Sequence, residues 1–203
     1  MLEPKKVAFL ADQMKCFDMK IVVYLRRQDE RIESGYLQVL RDSNFRFNGD
    51  IEAYIKFLNN HPRRTDYYEF LKPWVKSFGK SNIFIKLYGE EKGPDKLVPG
   101  FLKVCNIPNL HLFVPDTENV NLAFKPIVNS LLQKINKVPM SPHIHLKIVE
   151  CFNFISKHVI GYGNVKSHKL LAEARREQII EQYKNSNSKV AKEYLNKDNG
   201  LFE

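Results

Sequence analysis

Hydrophobic positions along the chain form helical stripes and short unbroken runs. Apolar residues recur at helical spacing over residues 4–16, and the run KIVVYL follows at 20–25. Because this run has no polar alternation, we expect a strand covered on both faces, as in the middle of a parallel α/β sheet. The pattern therefore predicts a helix at 4–16 that leads into a buried strand at 20–25.

A second strand is predicted at 82–88, where NIFIKLY follows the helical pattern YYEFLKPWVKSFG. That helix carries three aromatic residues at helical spacing, which we expect in the core rather than on a base-stacking surface: Phe70, Trp74 and Phe78. Another helical stripe lies between the two strands and is formed by Ile32, Tyr36, Leu37 and Leu40. Two strands separated by helices indicate a parallel crossover.

The second half of the chain is predicted to be mostly helical. Helical patterns lie at 96–106, 124–136, 143–159 and 168–195, and LHLFV at 110–114 is a weaker third strand. A doubly wound sheet normally has about four or five strands, more than this chain supplies. Part of the sheet is therefore expected to be missing or to come from a partner.

Composition predicts a folded, basic protein. The 203 residues suggest a single domain over 1–203, and 43% of them are hydrophobic, which is too apolar for disorder. The formal charge of +9 favours anionic partners. Three isolated cysteines without CxxC spacing indicate neither a disulfide framework nor a zinc site, so a reducing cytoplasm is the simplest compartment. We find no pattern for an export signal or a membrane span.

A basic edge follows the first predicted strand. Ligands of open α/β sheets bind beyond the carboxyl ends of the strands, which is where Arg26 and Arg27 lie. At 100° per residue, Ser34 falls about 160° from Ile32 and thus opposite the apolar stripe. An arginine and a serine hydroxyl near a helix amino terminus could hold a phosphate. The alternative is a solvated Arg26 paired with Asp29 or Glu30.

Two other groups of residues have ordinary structural interpretations. His143 and His145 have no third ligand nearby, so surface or capping histidines are favoured over a metal site. Basic clusters at 5–6, 61–64 and 175–176 accompany no recognition motif. We therefore expect solvated surface or a site for an acidic acceptor there, and not nucleic-acid binding.

The segment YLRRQDERIESGY resembles the site for the 3′-phosphate of 3′-phosphoadenosine 5′-phosphosulfate (PAPS) in sulfotransferases. In that family an arginine ending a strand is followed eight residues later by a serine and then by an aromatic residue, a spacing that Arg26, Ser34 and Tyr36 reproduce. Gln28 stands where many members have proline. YYEFLKPWVKSFGKSNIFIKLYGEE, PGFLKVCNI and YKNSNSKVAKEYL also resemble segments of bacterial sulfotransferase-like proteins.

This resemblance covers about residues 5 to 203 and implies a fold, a co-substrate and site residues. The fold would be α/β, a P-loop NTPase-like three-layer parallel sheet, helix-rich and incomplete in this chain. Arg26 and Ser34 would hold the 3′-phosphate of PAPS, and Lys166 in GYGNVKSHK would contact a phosphate, unless that segment is an ordinary interhelical turn. No metal is implied.

The implied activity is sulfate transfer from PAPS to a hydroxyl or amine, with a carbohydrate as one candidate acceptor. The chain contains no GxxxxGK[ST], and neither the family's phosphosulfate loop nor a catalytic base can be assigned to its residues. Two alternatives stay open. One is a non-catalytic, truncated or partner-completed sulfotransferase-like chain, and the other is a basic module that binds polyanions.

Overall fold

The computed structural model describes residues 3–88, 94–108, 123–163 and 170–202. In these segments the chain forms helices α1 (Pro4–Gln13), α2 (Gln28–Arg41), α3 (Ile51–Asn59), α4 (Tyr67–Phe78), α5 (Pro94–Val104), α6 (Pro126–Ile135), α7 (Pro142–Ile155) and α8 (Glu173–Leu195), and strands β1 (Ile21–Leu25) and β2 (Ile83–Leu87). Short 3-10 helices lie at Pro62–Arg64 and Lys80–Asn82, and a π-helical turn at Ser156–Ile160. The predicted helix-rich α/β class is confirmed. The P-loop topology stays a prediction.

Contacts divide the chain into two compact units. The first unit comprises Met1–Gln28, His61–Thr117 and Ile179–Glu203, and the second comprises Asp29–Asn60 and Glu118–Gln178. Helices α2 and α8 contribute residues to both units. The single domain predicted over 1–203 stays a prediction.

The first unit contains the sheet. β1 and β2 pair in parallel, from Ile21 opposite Ile83 to Leu25 opposite Leu87, which confirms both predicted strands and their direction. Alternate side chains of β2 are buried, and they join the core with residues of α4 and α8 such as Leu71 and Val190. The described residues of the sheet form two strands only.

The expectation that β1 is covered on both faces stays a prediction. Only Leu25 of β1 is fully buried, and the core cluster lies against the face that carries Ile21, Val23 and Leu25. The opposite face carries side chains that are half-buried, among them Tyr24 and Lys86.

Helix α4 shows how the sequence fixes an element of this unit. Asp66 caps its amino terminus, since its carboxylate accepts a hydrogen bond of 3.0 Å from the backbone N–H of Glu69. The helix ends at Gly79, whose φ of +82° is a conformation that favours glycine. The aromatic residues Phe70, Trp74 and Phe78 pack against the core, as predicted.

In the second unit the described residues form helices and their connections, with one isolated bridge between Ala123 and Gly163. The stripe of α2 is buried at Ile32, Tyr36 and Leu40. Other buried residues of this unit form a cluster of Phe124, Val128, Leu132 and Val149. The helices predicted at 124–136, 143–159 and 168–195 are confirmed as α6, α7 with its π-helical turn, and α8.

Helix α3 and the segment at 110–114 differ in how they relate to the sequence pattern. Helix α3 was not predicted, although Asp50 accepts a hydrogen bond from the Ala53 N–H at 2.8 Å and buried residues follow at helical spacing. The weak strand LHLFV at 110–114 lies outside the described residues. Within the part of the chain that the structure describes, no helix is long and apolar enough to cross a membrane.

Candidate functional site

Arg26 lies in the first unit, directly after β1. Its guanidinium is 5.2 Å from the ring centroid of Tyr88, the residue that follows β2. The N–H of Tyr88 donates to the carbonyl of Leu25 at 2.8 Å, and the hydroxyl of Tyr67 donates to the backbone carbonyl of Arg26. The carboxyl edge of the parallel pair is thus held by backbone contacts, and the Arg26 side chain is half-buried beside an aromatic ring.

Gln28, the residue that departs from the sulfotransferase pattern, is fully buried. Its side-chain amide exchanges two hydrogen bonds with that of Asn187, at 2.6 and 3.1 Å. A proline at this position could not make either bond, so glutamine here fixes α8 to the start of α2 within the first unit. The departure therefore has a structural reason.

Ser34 lies in the second unit on the exposed side of α2, while Ile32 is buried, which confirms the predicted orientation. The next residue, Gly35, leaves room for Tyr54, whose hydroxyl would lie 2.8 Å from a Cβ at this position. Tyr36 is buried, and its hydroxyl donates to the carbonyl of Gly49 at 3.2 Å. Within Ser34-Gly35-Tyr36, only Ser34 therefore presents a polar side chain to solvent.

Two further arginines, not predicted as site residues, share the face of Ser34. Arg31 precedes it by three residues and Arg41 follows it by seven, spacings that place all three on one side of the helix. The Nε of Arg31 is buried and donates to no acceptor in the described segments. The guanidinium of Arg41 lies 3.9 Å from the ring centroid of Phe124. This face could bind an anion.

The partly buried environment of Arg41 changes the pKa of its guanidinium. Burial lowers the pKa of Arg41, and the nearby hydroxyl of Tyr162 acts in the opposite direction. Tyr162 lies parallel to Phe124, with the two ring centroids 6.5 Å apart. A guanidinium that is already partly desolvated loses less hydration when an anion binds to it.

On the side of α2 away from Ser34, a buried arginine pairs with two carboxylates. Arg176 is 5% exposed and donates to Asp29 at 2.6 Å and to Glu33, and its Nε donates to the carbonyl of Leu171 at 3.3 Å. Burial acts to lower the pKa of Arg176, but the hydrogen bonds to Glu33 and Asp29 outweigh it and raise that pKa. Interpreting Arg175-Arg176 as a solvated cluster is therefore wrong for Arg176.

The neighbouring arginine behaves as the sequence predicted. Arg175 is half-buried, with its side chain 35% exposed, and forms a two-point ion pair with Glu52, at 3.0 and 2.8 Å. Because successive helical residues are 100° apart, Arg176 points into the second unit while Arg175 points to solvent. The sequence shows only two adjacent arginines, so it did not indicate that Arg176 would be buried and Arg175 would not.

His145 is buried, in contrast to the surface or capping role expected for it. Its Nε2 lies 2.8 Å from the side-chain oxygen of Asn136, and its Nδ1 lies 3.0 Å from the hydroxyl of Ser43. The amide nitrogen of Asn136 donates to the carbonyls of Leu40 and Phe47, so the asparagine oxygen must accept from His145. The contact with Asn136 requires a proton on Nε2, and the lowered pKa of His145 favours the neutral imidazole.

Burial lowers the pKa of His145, the positive charge of Arg46 lowers it further, and Asp42 opposes both. His143, two residues earlier, is exposed. In the described segments no three histidine, cysteine or acidic side chains are grouped so that they could hold a metal ion. Lys166, the third predicted phosphate ligand, lies outside the described residues.

Comparison with known proteins gives one informative similarity. The chain is 29% identical over 187 residues to an uncharacterised protein of Archaeoglobus fulgidus. The match covers 89% of this chain and 47% of the relative, so the chain spans about half the length of that protein. No protein-family model and no solved structure matches the chain.

Proposed function

We propose that the chain is a PAPS-dependent sulfotransferase that transfers sulfate to a hydroxyl or amine of an acceptor. The observation that carries the proposal is the local structure of YLRRQDERIESGY. Its strand ends at Leu25, Arg26 follows at the carboxyl edge of a parallel pair, and Ser34 is exposed on the next helix. This is the order of elements in which a strand, a loop and a helix bind phosphate groups.

Sulfuryl transfer is an in-line displacement, by analogy with phosphoryl transfer. The acceptor oxygen or nitrogen attacks sulfur, the bond from sulfur to the bridging phosphate oxygen breaks, and adenosine 3′,5′-bisphosphate leaves. The acceptor proton must pass to a base. In this proposal Arg26 and Ser34 bind the 3′-phosphate and thereby position the nucleotide, and Lys166 is a third candidate for a phosphate contact.

Arg31 and Arg41 extend the proposal within the second unit. They add two guanidinium groups to the side of α2 on which Ser34 is exposed. A phosphate at Ser34 would gain favourable electrostatics from both, since guanidinium presents paired donors to phosphate oxygens. We therefore expect substitutions of Arg31 to weaken nucleotide binding without changing the activity's acceptor preference.

Calorimetry with two nucleotides tests the proposal. Adenosine 3′,5′-bisphosphate carries the 3′-phosphate, and adenosine 5′-monophosphate lacks only that group. Loss of a charged hydrogen bond costs about 1.5–3 kcal/mol, so Arg26→Ala should weaken bisphosphate binding about tenfold or more and leave monophosphate binding almost unchanged. The fold should survive, because Tyr67 bonds the backbone of Arg26 and not its side chain.

Arg175→Ala is the matched control, because it also removes one guanidinium but from an exposed pair with Glu52. The combination of Arg26→Ala with Ser34→Ala should cost less than the sum of the single changes if both side chains bind one phosphate. Equal affinity of the wild type for the two nucleotides would contradict the proposal. Equal losses in Arg26→Ala and Arg175→Ala would also contradict it.

A further inference from the structure

A groove in the first unit is lined by lysine and tyrosine side chains. It has a volume of about 230 Å³ and lies between α4 and the carboxyl-terminal half of α8. Its lining includes Tyr68, Lys72, Lys76, Lys80, Glu193 and Tyr194. We call it the lysine–tyrosine groove. It contains none of the residues of the proposed nucleotide site, so it is argued independently of the proposed sulfotransferase activity.

The tyrosine rings hold ammonium groups over the groove. The Nζ atoms of Lys72 and Lys189 lie 5.4 and 5.3 Å from the ring centroid of Tyr68, and that of Lys80 lies 5.2 Å from the centroid of Tyr194. Cation–π contacts of this kind restrict otherwise flexible lysines. Three cations are therefore placed beside two aromatic faces before any ligand arrives.

The charge of the groove is positive despite two carboxylates. Lys76 lies one turn after Lys72 on α4 and makes no ion pair among the residues that the structure describes. Glu69 pairs with Lys72, and Glu193 lies 3.6 Å from Lys80. Four lysines thus face two acids, and the +9 charge of the chain adds a long-range attraction for anions.

The carboxylate of Glu193 has a second partner that fixes the groove wall. The hydroxyl of Tyr68 donates to it at 3.0 Å, and this hydrogen bond raises the pKa of Tyr68. The phenol therefore stays neutral at physiological pH, and its ring stays fixed between α4 and α8. A neutral ring held in this way can serve as a stacking surface.

We propose that the lysine–tyrosine groove binds single-stranded nucleic acid without sequence preference. Each lysine–tyrosine pair offers both interactions that such ligands need, an ammonium for a phosphate and a ring face for a base. On binding, the ammonium moves from the ring to a phosphate, and a base takes its place on the ring. An acidic peptide would use only the lysines, and a duplex keeps its bases stacked and unavailable.

Fluorescence anisotropy with a labelled twelve-nucleotide oligothymidine measures this binding. The groove variant carries Lys→Gln at 72, 76, 80 and 189, and the matched control carries the same change at 5, 6, 15 and 184, which are exposed lysines of the same unit. As the salt concentration rises, the wild-type affinity should fall with a slope of about −2 to −3 in a plot of log K against log[salt]. This slope is expected when at most four phosphates are neutralised. The groove variant should bind at least about tenfold more weakly with a flatter slope, and the control should resemble the wild type.

Substitutions of the rings separate stacking from charge. Tyr68→Leu with Tyr194→Leu should weaken binding while leaving the salt slope unchanged, and the corresponding Phe variants should restore it, because phenylalanine keeps the ring face. Thermal unfolding checks that the Leu variants remain folded. Three results would overturn the proposal: equal losses in the groove and control variants, equal affinity for a twelve-residue polyglutamate peptide, or tighter binding of a twelve-base-pair duplex.

Discussion

Buried polar side chains differ between the two units. Among the described residues of the first unit they are neutral and pair with one another, as Gln28 does with Asn187 and Tyr183 with Thr65. In the second unit they include the ionised pair of Asp29 and Arg176. A neutral pair that loses one partner leaves one unsatisfied dipole, whereas an ion pair leaves an isolated charge. We therefore expect a substitution in the buried ion pair of the second unit to be more damaging than one in a neutral pair of the first unit.

The largest effect is expected for Arg176→Met. It leaves Asp29 and Glu33 without their buried guanidinium, and breaking such a pair typically costs about 3–5 kcal/mol of unfolding free energy. Urea denaturation followed by circular dichroism measures the loss. Arg175→Met is the control, because its exposed pair with Glu52 is worth about 0–1 kcal/mol. Similar losses in both variants would show that the difference in burial between the two arginines has no energetic consequence.

For the apolar core of the first unit, Leu71→Ala provides the corresponding test. Leu71 is 1% exposed and lies in the cluster that covers one face of the sheet. Truncation of a buried leucine costs about 2–5 kcal/mol, with the higher values where the cavity cannot collapse. The same urea experiment gives the value. A loss below about 1 kcal/mol would contradict a packed core at this position.

The contrast between Leu71 and the Asp29–Arg176 pair explains which structural features could be predicted from the sequence. Apolar periodicity revealed both strands, their direction and most helices, because a buried stripe repeats within a few residues of sequence. Asp29 and Arg176 are 147 positions apart, so no local pattern connects them. An unbroken apolar run such as that of β1 likewise does not reveal how many layers pack against the strand.

In the candidate site, too, features fixed by local spacing could be predicted, and contacts with distant segments could not. The exposure of Ser34 could be predicted, because its angle from Ile32 is fixed by the geometry of one helix. Arg31 and Arg41 shared that face and could have been identified from their spacing alone. The stacking of Arg41 on Phe124 could not, because the ring comes from a segment more than eighty residues away.

A pH titration tests the titratable group that is buried in the second unit. His145 has a lowered pKa in the folded chain, so below about pH 6.5 the unfolded chain binds a proton that the folded chain excludes. The free energy of unfolding should therefore fall as pH drops below that value, by at most about 1.4 kcal/mol per pH unit from this residue. Above about pH 6.5, His145 should make no pH-dependent contribution to the free energy of unfolding.

His145→Gln is the control for that titration. Glutamine can still donate to Asn136 but does not titrate, so the step below pH 6.5 should shrink even if the variant is less stable overall. An unchanged pH profile would mean that His145 is protonated equally in the folded and unfolded chains. Such a result would also contradict the assignment of a neutral imidazole between Ser43 and Asn136.

The smallest effect on stability is expected for Ser34→Ala. Ser34 is exposed on α2, and surface substitutions of this kind usually change the free energy of unfolding by less than about 0.5 kcal/mol. Alanine even favours the helix slightly. A loss of bisphosphate affinity in this variant would therefore reflect a lost ligand contact, because the helix that carries the hydroxyl is held by buried side chains on its other faces. A loss of more than about 1 kcal/mol in urea denaturation would instead show that the hydroxyl supports the fold.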